Sequence, residues 1–131
     1  MKKSIYLSFA LVGVFILMSL APVKDDKAKP KFQRVVCFKF KAGTSAEAKT
    51  KHMNEFAAFV KAIPQVLSYR AGKTVKGESK TESEYDALHY LTFEKEQDII
   101  TYDTHAAHKQ FVESNKANWE NVISVNAAIE K

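Results

Sequence analysis

The stretch YDALHYLTF, Tyr85 to Phe93, limits the fold more than any other part of the chain. Its period-two pattern and its aromatic content predict a strand. Tyr85, Ala87, His89, Leu91 and Phe93 fall on one face, but Leu88 and Tyr90 make the other face apolar too. An antiparallel sheet with one wet face alternates apolar with polar residues. A strand apolar on both faces predicts a sheet covered on both sides, by helices on one side and a further layer on the other.

The rest of the chain supplies the pieces. FQRVVCFKFK alternates, with Phe32, Arg34, Val36, Phe38 and Phe40 on one face and Gln33, Val35, Cys37, Lys39 and Lys41 on the other, so it predicts a first strand. Thr44 and Glu47 have the spacing of a capping box. Met53, Phe56, Ala57 and Val60 follow at helical spacing until Pro64 ends the helix. VLSYRAGKTV, Val66 to Val75, predicts a second strand, with Gly72 marking a bulge or bend. KGESKTESE is a polar turn. EKEQDIITYD and AAHKQFVESNKANW predict two short helices, the second ending at Trp119, and NVISVNAAIE predicts the last strand.

The order β-α-β-β-α-α-β is the split βαβ pattern of an α+β, ferredoxin-like fold: a four-stranded antiparallel sheet with helices on one face. Its other face stays bare and apolar in a single chain. Back-to-back packing of two copies would cover it, and the predicted assembly is a homodimeric α+β barrel.

With 131 residues, 46% hydrophobic and 11% aromatic, the chain has the material for one domain with a real core. The net charge of +5 is spread along the sequence and includes no Arg-rich stripe, which predicts a solvated surface and no nucleic-acid partner. A single cysteine, Cys37, excludes an intrachain disulfide and a cysteine-based zinc site. Its place in an apolar run predicts a buried, inert thiol. No cofactor-binding fingerprint appears, and none is expected.

The first 21 residues stand apart. Lys2 and Lys3 precede an apolar run from Ile5 to Leu20, and Ser19-Leu20-Ala21 is a small-x-small cleavage pattern. This predicts a signal peptide and an exported protein, periplasmic or secreted. Pro22 after the cut opposes processing, and an uncleaved N-terminal membrane anchor is the alternative, the only membrane contact foreseen. Residues 22–31 form a charged linker containing Pro30, and 32–131 form the domain.

Two features invite chemistry. YDTHAAH, Tyr102 to His108, sets two histidines at the start of a helix. His108 falls in the first turn, where the helix dipole disfavours imidazolium. It shares a stripe with Phe111, Val112 and Asn115. It is either a pocket-lining base or ligand contact, or a structural histidine hydrogen-bonded to backbone or to Tyr102. His105 is expected at the N-cap. A metal site of His105, His108 and Asp103 would need all three to converge, and none is expected. His52 and His89 read as packing or surface histidines. The second feature is Arg34 on an apolar strand face, costly to bury unpaired. It either snorkels at the sheet end, meets an acid such as Asp103 or Glu113, or binds an anionic ligand in a pocket with Tyr102 and His108.

The segments VVCFKFKAG, IPQVLSYRAGKTV, LTFE and HAAHKQFV, in this order, resemble the stress-responsive A/B barrel, or Dabb, family over Phe32 to Lys131. The resemblance implies a dimeric α+β barrel, a link to stress, and a small pocket for an apolar or aromatic ligand. One branch of that family closes polyketide chains by aldol condensation, using a histidine of the last-helix motif, one from the first strand and a nearby tyrosine. Carried onto this chain, the last-helix histidine is His108 and the tyrosine Tyr102, which makes these two the catalytic pair if the chain is a cyclase- or lyase-like enzyme. The first-strand histidine falls on Arg34, a guanidinium that serves poorly as a base. The motif's proline falls on Ala106. The chain thus keeps half of that constellation. The antibiotic-biosynthesis monooxygenases share the architecture, but the His-x-x-His helix start speaks against them.

Overall fold

In the computed structural model, residues 28–78 and 84–131 are described. The signal or anchor reading of residues 1–21 lies outside them, as do most of the linker and the middle of the polar turn.

Strand β1 spans Phe32–Phe40, and helix α1 spans Ala46–Lys61. Strands β2, Ser68–Lys73, and β3, Ala87–Phe93, follow. Helices α2, Glu96–Thr104, and α3, Ala106–Asn115, then lead through a 3-10 turn, Lys116–Asn118, to strand β4, Trp119–Ala128. The strands lie in the order β2-β3-β1-β4, and every neighbouring pair is antiparallel. This is the predicted ferredoxin-like sheet.

β1 behaves as its alternation dictates. Arg34, Val36, Phe38 and Phe40 are buried under the helices, while Gln33, Val35, Cys37 and Lys39 are half-buried on the outward face. α1 buries His52, Phe56, Phe59 and Val60, one stripe of a 3.6-residue helix. Phe56 touches Phe38, Phe59, Tyr69 and Phe111 with ring centroids 4.7 to 6.1 Å apart. Truncating such a core phenylalanine costs about 3–5 kcal/mol.

Several local expectations are corrected. The N-cap of α1 is Ser45, whose hydroxyl accepts from the Ala48 N–H. Thr44 instead donates to the Lys41 carbonyl and tightens the turn beside Gly43, which has φ +82°, a left-handed conformation that suits glycine. β2 is shorter than predicted, and its pairing with β3 runs through Gly72 without a bulge. The irregularity lies between β1 and β4, where Lys39 opposes Asn121 but Phe40 opposes Trp119. One extra residue on β4 turns Trp119 onto the helix side. Trp119 therefore begins a strand; it does not end a helix. Cys37 is half-buried on the outward face, not in the core, and burial pushes its thiol pKa up.

The outward face of the sheet is uncovered in the single chain, with Leu88, Ile123 and Val125 exposed. Among the described residues no helix is long and apolar enough to cross a membrane.

Candidate functional site

His105 closes α2 and opens α3, with an extended backbone at φ −65° and ψ 139°. Its Nδ1 accepts from the Ala107 N–H at 3.1 Å, the N-cap role expected of it. The bend at this residue turns Tyr102, near the end of α2, toward His108, in the first turn of α3. Their rings stand 4.8 Å apart. His108 Nδ1 lies 3.1 Å from the Asp103 carbonyl oxygen. A carbonyl only accepts, so Nδ1 carries the proton and Nε2 keeps its lone pair. Among the described residues no group pairs with that Nε2.

Arg34 enters from β1. Its two terminal nitrogens donate to the Asp103 carboxylate at 2.5 and 3.0 Å, and its Nε–H donates to Asn126 Oδ1 at 2.7 Å. The guanidinium carbon sits 5.2 Å from the centroid of the Tyr102 ring, within cation–π range. Of the three readings of Arg34, the acid holds, and the acid is Asp103; Glu113 pairs with Lys116. Burial makes this the costly kind of charge, and a bidentate partner offsets that cost.

These side chains wall a cavity of about 220 Å³. Arg34, Asp103, Tyr102 and His108 form its polar end, and Phe38, Phe56, Phe111 and Trp119 its apolar wall. It opens beside β4, where Val122 and Ser124 are exposed. The structure thus brings together the three site residues singled out in the sequence. Burial lowers the His108 pKa, outweighing the Asp103 carbonyl and carboxylate that raise it. Burial also raises the Tyr102 hydroxyl, so both groups are neutral at pH 7. A wider depression of about 470 Å³ runs along β2 beside Leu88 and Tyr90, but it lies on the open outward side of the sheet, away from the histidines.

Behind the cavity wall lies a second cluster that the sequence did not reveal. Trp119 Nε1–H donates to His52 Nδ1 at 3.2 Å. The indole can only donate, so the His52 proton sits on Nε2 and points at His89 Nε2, 3.1 Å away. His89 then carries its proton on Nδ1, which donates to the Tyr69 hydroxyl at 2.8 Å. One donor-only group thereby fixes the direction of the whole chain. Both imidazoles are almost fully buried, at 1% and 0% exposure. Burial holds His52 down to about 4. Burial, reinforced by His52, holds His89 down to about 3. Burial also pushes Tyr69 up to about 12. The available sequence signal was placement: His52 lies one helical turn before Phe56, and His89 alternates with Leu91 and Phe93.

Among the described residues no three His, Cys, Asp or Glu side chains gather closely enough to hold a metal ion. His105 and Asp103 are each committed, one to the helix cap and the other to Arg34.

The family model described as the stress responsive A/B barrel domain matches residues 32–128. Solved structures share the fold. A protein from Arabidopsis thaliana aligns at 23% identity over 76% of this chain and 96% of its own, with a TM-score of 0.69. A hydroxynitrile lyase from Passiflora edulis aligns at 14% identity over 79% and 97%, with a TM-score of 0.69. A dimeric ferredoxin-like protein of unknown function from Thermobifida fusca aligns at 15% identity over 76% and 92%, with a TM-score of 0.65. No curated protein matches the sequence.

Proposed function

The chain belongs to the stress responsive A/B barrel (Dabb) family, and from that premise we propose that it is an exported, homodimeric binding module for a small aromatic or apolar ligand. The observation that carries this reading is the cavity, apolar along one wall and bearing at its end the neutral His108 beside Tyr102. About 150 Å³ of apolar space is enough to bind benzene, so about 220 Å³ suits a single substituted ring. Arg34 is already matched by Asp103. The ligand is then a neutral one whose hydroxyl donates to His108 Nε2, not a carboxylate. A second copy packed on the outward sheet face would cover the exposed Leu88, Ile123 and Val125, and the apolar residues on both faces of β3 support this.

A second reading rests on the same residues. A neutral imidazole with a spare lone pair beside a tyrosine hydroxyl is equipped for proton transfer, and a hydroxynitrile lyase shares the fold. In that reading His108 and Tyr102 act on the bound ligand as in a cyclase- or lyase-like enzyme. Arg34, in place of a base, leaves the binding role ahead.

The test is an NMR titration of the full chain with 4-methylphenol and, separately, benzoate. Binding of the phenol, with shifts at His108 and Val112, is expected, and His108→Gln should abolish it while leaving the fold intact. Preference for benzoate, or no shift at these residues with either probe, would sink the reading.

A further inference from the structure

We infer that Arg34 is a positioning residue, holding His108 in the single tautomer that turns its Nε2 lone pair to the cavity. The inference rests on the pocket reading above but concerns how the pocket is built. Three contacts carry it. Arg34 is buried on β1, and its guanidinium grips both oxygens of the Asp103 carboxylate. Asp103 lies in the last turn of α2, where the carbonyls have no partner inside the helix. Its carbonyl is taken up by the Nδ1–H of His108 at 3.1 Å. The side chain of Asp103 is thus bound to the sheet while its backbone orients the imidazole. A planar, two-pronged grip fixes direction as well as distance, which a point charge does not.

The arrangement is over-determined on the Arg34 side. Asn126 on β4 takes the Nε–H, so the guanidinium is held by two strands before it reaches the helix. Its carbon lies 5.2 Å from the centroid of the Tyr102 ring, which packs against the fork. Among the described residues nothing equivalent reaches His108 directly. Its other neighbours are the rings of Phe59 and Tyr102, at 5.6 and 4.8 Å, which confine the imidazole without choosing between its nitrogens. The choice falls to the Asp103 carbonyl, and its place relative to the sheet falls to Arg34. The charged and titratable groups facing His108 are Arg34 from β1 and Asp103 and Tyr102 from α2.

Long-range proton–nitrogen correlation spectra of the histidines in the full chain test this without any ligand. The unmodified chain should show His108 as the Nδ1–H tautomer alone. Arg34→Met should give a mixture of tautomers and raise the His108 titration midpoint by about one pH unit, because the carboxylate has lost its counter-ion. Asp103→Asn keeps an acceptor for the buried guanidinium but loses the two-pronged grip, and provides the test should Arg34→Met not fold. It should also mix the tautomers, but lower the midpoint, since the carboxylate itself is gone. A role confined to stability and charge would move the midpoint but leave the tautomer unmixed. A pure Nδ1–H signal retained in either folded variant overturns the inference. The outcome is separable from that of the phenol titration: a chain that binds no phenol can still show the tautomer locked by Arg34, and the reverse.

Discussion

Two histidine environments lie on either side of one cavity wall, the His52–His89 pair fully buried and His108 half-buried, and they differ in how their ring nitrogens are engaged. In the His52–His89 pair every ring nitrogen has a partner: Trp119, the other imidazole, or Tyr69. His108, which lines the cavity, has one nitrogen engaged by the Asp103 carbonyl and, among the described residues, no partner for the other. Burial keeps all three neutral. The difference teaches that a low pKa does not mark a site. A fully satisfied buried imidazole is a packing unit with polar edges, whereas one left with a lone pair can still bind or accept a proton.

The comparison is broken most violently by His89→Ala. It leaves a void beside Phe56 and strips a partner from both His52 and Tyr69, so urea unfolding should show a loss of about 3–5 kcal/mol. Acid comes next. The folded-state values of about 4 and 3 lie below the unfolded value near 6.5. The unfolded chain therefore binds protons first, and the stability held in full above pH 6.5 is lost as pH falls toward 4. Unfolding curves at pH 7 and pH 5 should differ by about 2–4 kcal/mol, a gap that replacing both histidines with leucine should largely remove. His108→Ala should cost less, about 1–2 kcal/mol, through the orphaned Asp103 carbonyl, and should leave the acid dependence in place. The smallest effect is expected for His105→Ala, about 0.5–2 kcal/mol from the lost helix cap, measured as a shift in thermal midpoint. Should His108→Ala remove the acid dependence and His52→Leu/His89→Leu leave it, the roles assigned to the two regions are reversed.

Much of this was legible in the sequence because it is periodic. The alternation in β1 identified its buried face, Arg34 included, and the apolar pattern of β3 foretold an uncovered sheet face. The helix-start motif placed His105 and His108 correctly. What could not be read are properties of pairs. Nothing in the local pattern joins position 52 to position 89, or chooses Asp103 over Glu113 for Arg34. The same holds for the bulge opposite Lys39 and Phe40, which depends on how two distant strands come into register. Gly72 misled because a glycine within a strand signals a bulge only when the neighbouring strand accommodates one, and β3 does not.

The pairing of β1 with β4 has a further consequence, in time. Phe32 opposes Ala128 and Arg34 opposes Asn126, so the strand that closes the sheet is the last one made. Contacts between the two ends of a domain are slow to form, because the loop they close is the whole chain between them. Helix–strand packing around Phe56 and the β2–β3 hairpin can assemble beforehand, but the cavity wall supplied by Trp119 and the Asn126 grip on Arg34 must wait. The domain should therefore fold in an order that completes its pocket last. Until then β1 offers an open hydrogen-bonding edge beside Val35 and Cys37, and that interval is when the chain is most exposed to edge-to-edge strand pairing with the wrong partner.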